Sequence, residues 1–445
     1  MSKNIVLKKG LDIPVEGAAE LRLSKTVAPL TVAVEPTALK GFTPRLLVKE
    51  GDRVLAGSPV MSDKKNADIL LASPVSGTVS AIVRGDKRKL LAVLVQADDR
   101  QEYLKSEPKC TTAEEVKQSL LSGGLWPLII QRPYGIVADP AAEPKAIFVS
   151  AFNTAPLAAC TEFTLADRIA DIQAGVNALA KIAKVSVGVQ EGSAFAKLEN
   201  AEVNTFKGKH PAGNVGVQIA SVCPIRKGEA VWTISLAGLA AVGRFFTKGI
   251  YDVRRKVAVS GPAAIEPAYV ETVPGTPMKC LAGFFGGKPE GVRIATGDLL
   301  TGKTVGEDGY LGFFDDTVTI IREGTDKEWF GWALPIRWKQ YSADHSYFSW
   351  LTPWRKYEMD TNLHGGPRAF VMNDSYYSKV LPMDGIFPTY LIKACLAGDI
   401  DKMEKFGIYQ VLPEDFALCE YIDPSKNYIQ DIIAQGIDLM LKEMA

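Results

Sequence analysis

Between Thr26 and about Gln96 apolar residues fall in short runs separated by turn residues. Runs at 27–34, 45–48, 69–72, 77–83 and 90–95 read as strands, and Glu50-Gly-Asp-Arg-Val-Leu-Ala-Gly57 and Ser73-Pro-Val-Ser-Gly77 mark reversals. Many short strands punctuated by Gly and Pro predict a small barrel or sandwich. From about 103 to 255 the period changes. Pro144-Lys-Ala-Ile-Phe-Val-Ser-Ala-Phe152 reads as a buried strand, and Leu165, Ile169, Ile172, Val176, Leu179 and Ile182 share one face of a helix over 165–184. Val185-Ser-Val-Gly-Val189 follows as a strand, and 230–247 reads as a second long helix. Alternating strand and helix predicts a partly parallel α/β sheet. Strand patterns return over 255–334, broken by Gly283-Phe-Phe-Gly-Gly287. A helical region runs from about Phe387 onward, with Pro413 and Pro424 placed as first-turn prolines. The expected organisation is an α+β multidomain chain divided at 1–102, 103–255, 256–334 and 335–445.

Composition narrows the class. At 445 residues the chain is expected to hold about two to four domains. Lys+Arg and Asp+Glu balance at 51 each, which argues against a nucleic-acid partner, whose affinity rests on a basic surface. The longest uncharged apolar run, 230–243, is shorter than the roughly 20 residues a membrane span needs. The N-terminal residues carry no signal-peptide pattern. The expectation is a soluble, cytoplasmic chain whose membrane contact comes through partners. Cysteines at 110, 160, 223, 280, 395 and 419 contain no Cys-x-x-Cys, and His210, His345 and His364 are equally dispersed. Metal and iron–sulfur sites are usually announced by close pairs, so no metal site is expected.

Several motifs carry candidate chemistry. Gly297-Asp-Leu-Leu-Thr-Gly-Lys-Thr304 matches the phosphate-loop pattern, but a turn and the strand-like Thr317-Val-Thr-Ile-Ile321 follow where that loop needs a helix. A β-hairpin is the better reading. Lys64 and Lys65 sit at a polar turn, as the modified lysine does in biotin- and lipoate-carrying domains, yet neither carrier tripeptide surrounds them. His210-Pro-Ala-Gly213 reads as a turn histidine. Gly123-Gly124 enters the α/β region, followed by Trp126-Pro127, which would crowd a pyrophosphate. The next residues suggest two readings. One is a packed loop closing the sheet. The other is an apolar slot for a flat ligand, with Trp126, Pro133 and Tyr134 as walls and Gln131 and Arg132 as donors. Finally, 328–357 holds five of the seven tryptophans among many charges, either as core or as a surface facing a partner.

Taken in order, these stretches resemble one family, the NqrA subunits of the sodium-translocating NADH:quinone reductase. The resemblance spans Leu7-Lys-Lys-Gly-Leu-Asp-Ile-Pro14, Ser73-Pro-Val-Ser-Gly77, His210-Pro-Ala-Gly213, Val259-Ser-Gly-Pro262, Thr296-Gly-Asp-Leu-Leu-Thr-Gly-Lys303, Gly365-Gly-Pro-Arg-Ala369 and Leu381-Pro-Met-Asp384. That family is similar to the RnfC protein of the Rnf complex and to the NADH- and flavin-binding subunit of complex I. The resemblance implies a barrel-sandwich domain, lipoyl-like but unmodified, then a Rossmann-like domain, a β-grasp (SLBB-like) domain and a C-terminal helical domain. It also marks departures. Only Gly123-Gly124 remain of the relatives' glycine-rich loop, and Ala151-Phe-Asn-Thr-Ala-Pro156 replaces their acidic loop. In Cys419-Glu-Tyr-Ile-Asp-Pro-Ser-Lys426, Asp423 stands where a cluster cysteine would be.

What the resemblance implies is a peripheral subunit on the cytoplasmic face of a bacterial inner membrane. It would hold no tightly bound flavin, nicotinamide or iron of its own, and redox cofactors would reside in sister subunits. Quinone would be the substrate of the complex, with Trp126, Gln131, Arg132, Pro133 and Tyr134 as candidate quinone-lining residues. The aromatic segment and the C-terminal helices would face the membrane-embedded and other subunits. A ligand-free scaffold and an Rnf-type electron-transport subunit are the alternatives.

Overall fold

The computed structural model describes residues 3–285, 291–325, 331, 336–363 and 371–443. Near the N-terminus two small antiparallel sheets form a barrel sandwich. One contains Thr31–Val34, Leu90–Ala97, Gly77–Arg84 and Arg53–Val54; the other contains Pro44–Leu46, Pro59–Asp63 and Leu70–Ala72. Alternation sets the inside. Gly77 and Val79 are buried while Thr78 and Ser80 between and beyond them are exposed. Of the run expected at 27–34 only Thr31–Val34 is strand, because Pro29 has no N–H to give a ladder; a separate strand, Leu23–Thr26, precedes it. Leu23–Thr26 leaves to pair with Ala268–Thr272 in another sheet, and Thr31–Val34 stays.

The second layer is a seven-stranded sheet. Its order is Asn4–Val6, Glu202–Lys207, Val185–Val189, Ile147–Ser150, Val231–Thr233, Ile130–Arg132 and Ile136–Val137. The first five are mutually parallel. Helix Ala113–Ser122 opens on a capping box between Thr112 and Glu115. The helix expected over 230–247 is instead a strand followed by a helix. Val231-Trp-Thr233 has the β-branched and aromatic types that suit a central strand, and Ser235 then caps Leu236–Lys248 by accepting the Gly238 N–H. Gly249, at φ +65°, closes that helix. Helices Ile169–Leu179 and Leu236–Lys248 cross backbone against backbone. A Cβ at Gly243 would overlap the Asp171 carbonyl, and one at Gly175 the Leu239 carbonyl.

A third sheet, six strands and mixed, has the order Lys303–Thr304, Val292–Thr296, Thr317–Arg322, Arg255–Ser260, Ala268–Thr272 and Leu23–Thr26. The phosphate-loop look-alike lies in it as a hairpin, with Thr296 opposite Lys303 and Ala295 opposite Thr304. Asp298 accepts the N–H groups of Leu300 and Thr301, so its carboxylate shapes the turn. The C-terminal region is helical: Asp374–Val380, Pro388–Ala397, Ile400–Lys405, Ala417–Ile422 and Ile429–Glu443. The last buries Ile429, Ile433, Ile437 and Met440, one stripe at helical spacing. Pro413 does open a short helix, but Pro424 lies in the turn between the last two. Of the sequence expectations, Trp329, Phe330, Trp332 and the 365–369 motif lie outside the described residues.

Candidate functional site

The strand order of the seven-stranded sheet contains one reversal of direction. From Ile147–Ser150 the chain winds outward through 185–189 to 202–207, then returns to place 231–233 on the other side of 147–150. In open α/β sheets ligands bind outside the carboxyl ends of the strands at such a reversal. A cavity of about 360 Å³ lies there. Ser150 and Thr233, the last residues of the two strands, line it, as do the residues that follow each, Phe152 and Asn153 on one side and Ile234 to Ala237 on the other.

Its walls divide by chemistry. Leu128, Ile130, Phe152, Leu165 and Phe314 give apolar surface, and Thr161, Thr164, Thr233 and Ser235 contribute hydroxyls. Leu236 and Ala237 belong to the first turn of the 236–248 helix, whose leading N–H groups have no acceptor within the helix. The third sheet closes the opposite side with Arg255, Asp298, Asp315 and Asp316. Arg255 is buried, and its Nη1 donates to the Asp315 carbonyl at 3.2 Å. Its Nε has no partner, and no carboxylate of the described residues forms an ion pair with it. Burial pulls its pKa down.

The carboxylates facing it behave oppositely. Burial raises the Asp315 pKa, although its Oδ2 accepts the Thr296 hydroxyl at 2.6 Å. Burial pushes Asp316 up to about 6, against the pull of the Thr317 hydroxyl and Arg255. His210, on the other rim, is buried, and burial lowers its pKa to about 4; its Nδ1 lies 3.1 Å from the Thr154 hydroxyl. A neutral histidine, carboxyls whose proton affinity burial has raised and apolar walls leave this cavity suited to a flat molecule with polar ends. Such a molecule meets rings on its faces, and N–H or O–H donors at its oxygens.

The five residues singled out from sequence sit beside this cavity, and none of them is among its lining residues. Trp126 is fully buried; its Nε1 donates to the Ala138 carbonyl at 2.7 Å and its ring meets Trp232 edge-on at 5.4 Å. Gln131 Oε1 accepts from Trp232 Nε1 and from the Asp139 N–H. Arg132, 1% exposed, donates to Glu414 at 2.7 Å and Asp415 at 3.1 Å. Pro133 is buried behind a cis peptide, and Tyr134 packs on the C-terminal core. These side chains already have protein partners. They back the strand whose Ile130 faces the cavity, and Arg132 holds Glu414 at its edge. Gly123 serves packing: a Cβ there would meet the Phe245 ring.

Residues 5–98 match the family model for the NqrA N-terminal barrel-sandwich hybrid domain, and 111–251 match the NqrA second alpha/beta domain. The NqrA subunit of the Na(+)-translocating NADH-quinone reductase from Yersinia pestis bv. Antiqua (strain Angola) is 35% identical over 97% of this chain and 99% of its own. The chain belongs to the NqrA family. Its relative from Pasteurella multocida (strain Pm70) is 33% identical, covering 99% of this chain and 100% of its own. Among solved structures, an NAD+-reducing [NiFe]-hydrogenase overlays with a TM-score of 0.33 at 14% identity over 48% of each chain, too distant to carry an argument.

Within this NqrA-family chain, the two motifs that look like cofactor sites have local structural roles. Lys64 and Lys65 are exposed at the turn joining Pro59–Asp63 to Leu70–Ala72, and buried Asp63 pins that turn by accepting the Thr43 N–H at 2.8 Å. Asp423 is buried and accepts from Tyr377 Oη at 2.8 Å and from the Asn427 N–H at 2.7 Å. Its carboxylate therefore ties the last two helices to Asp374–Val380. No helix among the described residues is long and apolar enough to cross a membrane.

Proposed function

We propose that this chain is a peripheral subunit of a sodium-translocating NADH:quinone reductase and that the crevice between the α/β sheet and the third sheet forms part of its quinone-binding region. Identity to NqrA relatives along nearly the whole chain carries the first part. The crevice supports the second. Phe152 and Phe314 offer rings to a flat headgroup, and Arg255, the hydroxyls of Thr233 and Ser235 and the first turn of the 236–248 helix offer donors to its carbonyl oxygens. Reducing a quinone to a quinol takes up two electrons and two protons. The electrons come from redox cofactors in sister subunits. Asp315 and Asp316, with pKa values raised by burial, are the proton donors on this chain. On this reading Trp126, Gln131, Arg132, Pro133 and Tyr134 are positioning residues that fix the 130–132 strand rather than contacts to quinone.

The finer fold assignments belong to the same reading. The parallel sheet with its reversal supports a Rossmann-like domain, the third sheet a β-grasp domain, and the paired small sheets an unmodified lipoyl-like domain. Together with the buried Asp423, they support descent shared with RnfC and the flavin-binding subunit of complex I. Partners are the membrane-embedded and other subunits, and the setting is the cytoplasmic face of the membrane. The test uses the assembled complex carrying Ile130→Trp, which fills the cavity, or Arg255→Gln. The expected result is a KM for a short-chain quinone raised tenfold or more, with electron transfer from NADH to an artificial acceptor unchanged. An unaltered KM in an intact complex would remove quinone from this crevice.

A further inference from the structure

Residues 336–356 form an exposed aromatic and basic patch, apart from the crevice. Trp354 is 80% exposed and Ile336 72%, and Trp338, Phe348, Trp350 and Leu351 are each more than two-fifths exposed. Four of them are joined directly. Trp338 lies 6.2 Å from Phe348, the short helix Phe348–Leu351 carries Trp350 and Leu351, and Trp350 stacks on His345 at 5.2 Å. The patch is held from behind. Tyr357 is buried, its N–H bonds Pro14, its carbonyl accepts the Glu16 N–H, and its hydroxyl reaches the Ser349 carbonyl at 3.1 Å.

Charge says what covers it. In a chain of zero net charge, 336–356 carries Arg337, Lys339, Arg355 and Lys356 against the single acid Asp344. Lys339, Arg355 and Lys356 are exposed beside the tryptophans. Protein–protein interfaces are depleted in lysine, whereas tryptophan beside lysine and arginine is the composition of segments lying at the headgroup level of an anionic bilayer. We propose that this patch docks directly on the anionic lipid surface, with Trp338, Trp350 and Trp354 seated among headgroups and Lys339, Arg355 and Lys356 facing their phosphates. The inference rests on the peripheral-subunit reading and deepens it by giving the chain its own lipid contact.

The purified full chain is sedimented with vesicles of phosphatidylcholine alone and with a quarter phosphatidylglycerol. It is expected to bind only the anionic vesicles, less at high salt, with a blue shift of tryptophan fluorescence. Arg355→Gln and Lys356→Gln should each lower partitioning about fivefold. Trp338→Ala with Trp350→Ala and Trp354→Ala should abolish the blue shift, and unchanged circular dichroism shows that the variants fold. Absence of binding to anionic vesicles, or binding that no variant weakens, overturns the proposal. Co-purification with the sister subunits separates the two readings. Variants that lose the subunits while wild type ignores vesicles make the patch a protein dock, which overturns the lipid contact and leaves the peripheral-subunit reading standing. A wild-type chain that binds vesicles but never the sister subunits does the reverse.

Discussion

Two buried arginines, Arg132 and Arg255, stand on neighbouring sheets and have opposite surroundings. Arg132 is clamped by Glu414 and Asp415 and joins the α/β sheet to the C-terminal helices. Arg255 lines the crevice with one bond to a backbone carbonyl and an unpartnered Nε. Removing a charge from water is compensated at the first by two carboxylates, Asp415 buried and Glu414 at the edge. At the second the compensation is incomplete. The Nε is unpartnered in both, so the difference lies in the carboxylates: a buried cation beside a cavity with no ion pair is available to a ligand, and one clamped by two carboxylates holds the fold.

The largest expected effect follows from breaking the first. Arg132→Ala leaves Glu414 and Asp415 without their cation and should lower stability by about 3–5 kcal/mol, read by denaturant unfolding. Combining Arg132→Met with Glu414→Gln and Asp415→Asn should recover most of that loss. Recovery would place the cost in the stranded carboxylates. Trp126→Phe removes the bond to the Ala138 carbonyl and should cost about 1–3 kcal/mol, again in unfolding. In the assembled complex its quinone KM should match wild type, whereas a raised KM would return Trp126 to the quinone itself. Arg255→Met should change the stability of the free chain by only about 1 kcal/mol or less, because no carboxylate loses a partner. A loss as large as that of Arg132→Ala would erase the contrast.

Acidity sharpens the same contrast with a smaller effect. Asp316 titrates near 6 when folded and at 3.8 ordinarily, so the folded state keeps a proton that the unfolded chain releases. Its contribution to stability is present below about pH 4 and lost as the pH rises towards 6. His210 titrates near 4 when folded and at 6.5 ordinarily, so its contribution is present above about pH 6.5 and lost as the pH falls towards 4. The two slopes oppose each other. Asp316→Asn should make the denaturant midpoint climb from pH 4 to 6.5, and His210→Gln should make it fall. Parallel profiles for both variants would show that neither group titrates as its burial dictates.

How far the sequence led differs between the scaffold and the site. Hairpins were legible because turn chemistry is local: Lys64-Lys65 and Gly297 to Gly302 are both turns between paired strands. Val231-Trp-Thr233 was misread because a fully buried strand and a buried helix both present continuous apolar residues. Ser235, a capping residue at that junction, was the available signal. Segment 126–134 drew attention by its residue types and does adjoin the crevice, through Leu128 and Ile130. Phe152, Arg255, Phe314 and Asp316 come together only when two sheets pack. No spacing along the chain announces them.

The first strand of the seven-stranded sheet, Asn4–Val6, pairs with Glu202–Lys207 and with no strand nearer in sequence. During synthesis at about 5–20 residues per second, some 10–40 seconds separate these segments leaving the ribosome. Leu23–Thr26 waits longer still, for Ala268–Thr272. Both early segments thus wait for strands made much later before they find their places. A bulky group attached ahead of Asn4 would act on the closing step of assembly, not on the opening one, and would show itself first in yield.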